Sequence, residues 1–103
     1  MVIEYIRYTI PDAQRAEFEA AYARAAESLR RSTHCLGYEL AHGVEEPQQY
    51  ILRIEWDSRE GHEQGFRSSA EFRSFLAEIR SYIGNIEEMK HYEATTVSSS
   101  TQH

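Results

Sequence analysis

The chain predicts an α+β fold of order β-α-β-β-α-β, one antiparallel sheet carrying two helices on one face. Three observations lead there. Residues 2–10, 35–44 and 50–56 alternate apolar and polar side chains with period two, and residues 86–97 close the chain with a further strand-like run. Residues 13–31 and 68–83 instead carry apolar side chains at helical spacing. A short polar turn joins the two middle strands, whereas a helix stands between the outer pairs, which is the split βαβ order of a ferredoxin-like fold.

The first strand places Val2, Ile6, Tyr8 and Ile10 on one face and Ile3, Tyr5, Arg7 and Thr9 on the other. Pro11-Asp12 ends it and opens a helix whose stripe is Phe18, Ala21 or Tyr22, Ala25 and Leu29. The second strand puts Leu36, Tyr38, Leu40 and His42 on one face, and Glu45-Glu46-Pro47-Gln48 turns it into a hairpin. The third strand presents Tyr50, Leu52, Ile54 and Trp56 together. Asp57 with Glu60, and Ser68 with Glu71, read as two successive capping boxes, so a helix starts, breaks near Arg67 and restarts. Phe72, Phe75, Leu76, Ile79 and Ile83 form the stripe of the longer piece, and Gly84-Asn85 stops it. Residues 1–97 are expected to make one domain, followed by a flexible tail of small polar residues at 98–103.

At 103 residues the chain supports one lean core. Pairing through the far face of the sheet would relieve this: Ile3, Tyr5 and Ile51 lie there among Arg7, Arg53, Glu39 and Glu55, a mixture suited to a homodimer interface, with a solvated face as the alternative. The net charge of −6 provides no basic surface for nucleic acid or an anionic membrane. No apolar run is long enough to span a bilayer, and Glu4 and Arg7 interrupt any leader-like stretch. A single cysteine, Cys35, rules out an intrachain disulfide framework and suits a reducing cytoplasm.

Familiar cofactor and catalytic signatures are missing: no His-Glu-x-x-His, no Cys-x-x-Cys, no phosphate loop and no serine elbow. The candidate chemistry therefore lies between the third strand and the broken helix. His62 is the candidate general base, one turn before Phe66 and beside the strand end that carries Trp56; the alternative is a solvated helix histidine among Glu60, Glu63 and Gln64. Tyr38, Tyr50, Phe66, Phe72, Phe75 and Leu76 either line a pocket for a planar ligand or fill a helix-on-sheet core. His34 and Cys35 would face opposite ways and make a poor metal pair. Neither His91, which shares a face with Met89, nor His103 in the tail takes a role, and no metal site is expected.

The Leu36-Gly37-Tyr38-Glu39-Leu40 strand, the Trp56-Asp57-Ser58-Arg59-Glu60-Gly61-His62 run and the following Phe66-Arg67-Ser68-Ser69-Ala70-Glu71-Phe72 resemble the antibiotic biosynthesis monooxygenase family, over about residues 2–97. The resemblance implies a dimeric α+β barrel, with a pocket between sheet and helices in each subunit. It implies cofactor-independent oxidation of a small aromatic polyketide or quinol, with His62 or a tyrosine assisting proton removal, Trp56, Tyr50 and Phe72 holding the ring, and Arg73 stabilising the anion. The haem-degrading branch of that family uses a helix histidine and a first-strand asparagine; Leu76 or its neighbours and Ile6 stand at those positions here, a departure that argues against haem degradation. Two other readings stay open: a protein that binds haem or another hydrophobic ligand without turnover, and a dimerisation module with a filled core.

Overall fold

The alternation read in the third strand is the alternation of burial: Tyr50, Leu52, Ile54 and Trp56 are buried, while Gln49, Ile51, Arg53 and Glu55 between them are only half covered. A computed structural model of the chain describes residues 1–99. Its regular elements are β1 (Val2–Thr9), α1 (Arg15–Arg31), β2 (Cys35–His42), β3 (Gln49–Trp56), α2 (Ala70–Ile79) and β4 (Ile86–Glu93). Short 3₁₀ turns at Asp12–Gln14 and Arg80–Asn85 flank the helices, and a π-helical segment, Gly61–Phe66, precedes α2. The sheet order is β2-β3-β1-β4 with every neighbouring pair antiparallel, so each helix crosses over between parallel strands that enclose a third. This is the expected ferredoxin-like arrangement.

Both helices pack on one sheet face and on each other. The buried residues of α1 (Phe18, Ala21, Tyr22, Ala25, Leu29) meet Tyr8 of β1 and Tyr50 of β3. Phe18 touches Tyr8, Tyr22, Tyr50 and Tyr82 with ring centroids 4.8–5.1 Å apart, apart from its neighbours' own contacts, mostly in edge-to-face geometry. The opposite face holds Ile3, Tyr5, Arg7, Ile51, Arg53 and Glu55, with Arg7 paired to Glu88 at 3.7 Å and Tyr5 edge-on to Tyr92.

Several boundaries depart from the sequence reading. The last strand stops at Glu93 rather than Val97: Ala94 N–H reaches Met1 C=O at 3.0 Å, and there the partner strand ends. A bulge opposite Trp56 and Glu55 takes Leu36 out of the alternation and leaves it 58% exposed, so it does not share the face of Tyr38 and Leu40. Both helix caps lie one residue later than expected. Asp57 is already engaged, its N–H donating to His34 C=O at 2.9 Å and its carboxylate 3.0 Å from the His34 ring, so Ser58 Oγ accepts the Gly61 N–H at 2.9 Å instead. Ser69, not Ser68, accepts from Phe72 N–H at 3.2 Å, and its own N–H donates back to Phe66 C=O at 2.9 Å. Ile83 falls in the 3₁₀ turn, off the α2 stripe, and is 44% exposed. Of the expected tail, the part beyond residue 99 lies outside the described residues. Among those described, no helix is long and apolar enough to cross a membrane.

Candidate functional site

The register of β1 brings an acid into the core. Glu4 has the same parity as Ile6 and Tyr8, so it points under the helices and is 2% exposed. A buried carboxyl is costly unless its lone pairs are occupied. Trp56 Nε1–H donates to Glu4 Oε1 at 3.0 Å, across the antiparallel β1–β3 pair. His91 is the direct partner of Glu4 on β4, and its Nε2 lies 3.5 Å from Oε2.

The third neighbour comes from the π-helix. Its i→i−5 bond, Arg67 N–H to His62 C=O at 3.1 Å, widens the turn, and both His62 and Phe66 sit beneath Trp56. Gly61 and Gly65 suit this stretch because a Cβ at Gly65 would lie 2.4 Å from the His34 ring and one at Gly61 2.8 Å from its Nδ1. His62 stacks on the indole at a centroid distance of 4.6 Å and an interplanar angle of 20°. Its Nε2 is 3.4 Å from Glu4 Oε1, and its Nδ1 is 3.2 Å from His91 Nε2. The solvated alternative for His62 is thus overturned: it is 3% exposed.

Burial dominates the electrostatics. It raises the Glu4 pKa above the ordinary carboxylate range, against the opposing influence of the Trp56 hydrogen bond and of His91 and Arg67. It lowers His62 to about 4, with Arg67 and His91 acting in the same direction. Burial therefore favours the arrangement in which any shared proton rests on the carboxyl and the imidazole is neutral. Among the described residues the only ion-pair partners of Glu4 are these two histidines.

A cavity of about 170 Å³ opens from this polar end toward the helices. Trp56, His62, Phe66, Phe72, Phe75 and Leu76, all expected at one site, line it together with Glu4. Arg67 also lines it, its guanidinium 5.8 Å from the Phe72 ring centre.

Tyr38 and Tyr50 are not part of this cavity. They line a second one, of about 300 Å³, between α1 and the β2–β3 hairpin. The wall between the two is Tyr8 and Tyr22, whose hydroxyls are hydrogen-bonded to each other; Tyr8 faces the first cavity and Tyr22 the second. The Tyr50 hydroxyl is already committed, donating to Glu19 and accepting from Arg15 Nε. Arg73 also stands apart. It follows Phe72 by one residue, about 100° around the helix, so it is exposed and lines neither cavity.

The sequence reading passed over Glu4 and His91. Glu4 reads in the sequence as a charge breaking an apolar run, although its parity with Val2, Ile6 and Tyr8 places it on the buried face. His91 shares parity with Met89, which lines the cavity, but only the β1–β4 register sets it opposite Glu4.

A model of the antibiotic biosynthesis monooxygenase family matches residues 1–78. The Bacillus subtilis (strain 168) protein YczJ, itself uncharacterized, is 28% identical over 93 residues, 90% of this chain and 98% of that protein. Among solved structures, a candidate antibiotic biosynthesis monooxygenase of Bordetella bronchiseptica superposes with a TM-score of 0.76 at 26% identity, covering 91% of this chain and 96% of its own. A mutant of SnoaB, a cofactor-independent oxygenase from Streptomyces nogalater, superposes with a TM-score of 0.73 at 19% identity, covering 98% and 97%.

Proposed function

The chain belongs to the antibiotic biosynthesis monooxygenase family, and from that premise we propose that it is a cofactor-independent monooxygenase acting on a compact hydroxylated aromatic of one or two fused rings. The observation that carries this reading is a buried carboxyl, Glu4, held by Trp56 at the polar end of an otherwise aromatic and aliphatic cavity. A cavity of about 170 Å³ compares with the roughly 150 Å³ known to enclose a benzene ring. It is well below the roughly 300–1,000 Å³ of sites for larger ligands, which disfavours the haem-binding alternative.

Such a substrate supplies its own reducing power. Glu4, as carboxylate, takes the phenolic proton, and His62 stays neutral beside it as a hydrogen-bonding partner. The electron-rich ring anion then reduces dioxygen and forms a C–O bond at a ring carbon that bears hydrogen. The resulting hydroperoxide loses water to leave a quinone, so one oxygen atom enters the product and the other leaves as water. Phe66, Phe72 and Phe75 exclude bulk water from the anion, and Arg67 contributes positive charge at the rim. This gives Glu4 the basic role expected of His62, since a pKa lowered to about 4 makes that imidazole the weaker base. We also propose that the half-covered sheet face pairs with a second copy of the chain.

The test is oxygen uptake by chelator-treated protein over a panel of naphthols and hydroquinones. Turnover of a naphthol to its quinone is expected, with a loss of roughly 100-fold or more in Glu4→Gln, in line with general-base contributions. Absence of turnover across the panel would overturn the reading.

A further inference from the structure

We propose that Glu4, His62 and His91 form a binding site for one divalent first-row transition-metal ion of the zinc or cobalt kind. Three separate elements supply the ligands: β1, the π-helix and β4. One potential ligand atom from each lies within 4.8 Å of the others, the only such group of three among the described residues. The nearest approaches are His62 Nδ1 to His91 Nε2 at 3.2 Å, His62 Nε2 to Glu4 Oε1 at 3.4 Å and His91 Nε2 to Glu4 Oε2 at 3.5 Å. Donor atoms that share one tetrahedral zinc at bond lengths near 2.0–2.1 Å stand about 3.4 Å apart. These approaches use both His62 nitrogens and both Glu4 oxygens; with one atom from each residue the separations reach up to 4.8 Å, so the rings must turn inward to surround an ion.

His91 Nε2 faces both His62 Nδ1 and Glu4 Oε2, so the three residues turn their ligand atoms toward one point. A cation at that point engages all three groups. The donor set of two imidazoles and one carboxylate suits zinc, cobalt, nickel or ferrous iron rather than calcium or magnesium, which prefer oxygen alone. The outer support is also present: the Trp56 N–H fixes Glu4 Oε1, which leaves Oε2 turned toward His91. The His91 side chain is 30% exposed and gives an entry path, while Glu4 and His62 border the cavity on the other side.

This inference does not depend on the oxygenase reading, because it is read by binding. The two uses compete for the lone pairs of Glu4, which is why oxygen uptake is to be measured on chelator-treated protein. Cobalt(II) is titrated into the chelator-treated, untagged full chain, the visible ligand-field band is followed, and zinc is added as competitor. One equivalent is expected to bind, to be displaced by zinc, and to weaken by more than about 100-fold in His91→Ala, a partly exposed site whose variant should keep its circular dichroism. Glu4→Gln should weaken binding likewise. His42→Ala, outside the cluster, should bind as the wild type does. Zinc should raise the Tm of the wild type and leave that of His91→Ala unchanged. Failure to bind one equivalent, wild-type affinity in His91→Ala, or loss of binding in His42→Ala would each overturn the site. If oxygen uptake fails while cobalt binds, only the oxygenase reading falls.

Discussion

At the scale of single residues, Glu4 and His62 bring opposite pH dependences to stability. The folded-state pKa of His62 lies at about 4 against an ordinary 6.5, so the unfolded chain binds the extra proton between those values. The stability supplied by the buried neutral imidazole is therefore complete above pH 6.5 and is lost as the pH falls toward 4, by about 3 kcal/mol at most. Glu4 works the other way: its pKa is raised, so its contribution is greatest below the ordinary value of 4.5 and is lost as the pH rises through the folded-state value. In urea unfolding of metal-free protein, the wild type should gain stability relative to His62→Gln as the pH rises from 4.5 to 7, since the opposing Glu4 contribution is common to both; parallel profiles would contradict the assignment.

At the scale of elements, the π-helix and the cap that follows it decide whether the cavity exists. The extra residue in the π-turn sets His62 and Phe66 together against Trp56, and Ser69 then restarts a regular helix that delivers Phe72, Phe75 and Leu76 to the opposite wall. Ser69→Ala removes an N-cap whose hydroxyl also donates to Phe66 C=O at 2.6 Å. It should cost about 1 kcal/mol in urea unfolding. Ser68→Ala should cost less than about 0.5 kcal/mol, since Ser68 does not cap. Equal losses in the two variants would mean that the restart is not held by Ser69. The segment was only half legible: polar capping residues and the break near Arg67 can be read in sequence. The i→i−5 hydrogen bond from Arg67 N–H to His62 C=O cannot, because no residue type or spacing there separates a π-turn from an ordinary helical turn.

At the scale of the whole molecule, the helices cover one sheet face and leave the other to its own side chains. Tyr5, Ile51 and Tyr92 interleave there with Arg7, Arg53, Glu55 and Glu88, several already paired within the chain. Light scattering after size exclusion should give a dimer mass, and Ile51→Glu, which places a new charge in the middle of that face, should shift it toward monomer while the circular dichroism is kept. A wild-type monomer at micromolar concentration would remove the proposed pairing.

The sequence by itself determined the element order, the face of β3 that is buried and the aromatic composition of the cavity wall, because periods of two and of 3.6 residues are local properties of a chain. The tertiary structure alone decided which of those aromatics share a cavity. Tyr38 and Tyr50 have the right parity but lie beyond the Tyr8–Tyr22 wall, and Arg73 turns outward with the pitch of α2. It also decided the polar end of the site: Glu4 and His91 are 87 positions apart in sequence and become neighbours only through the register of β1 on β4. Pairing of that kind is set by the fit of whole strands and helices, which no local pattern around either residue records.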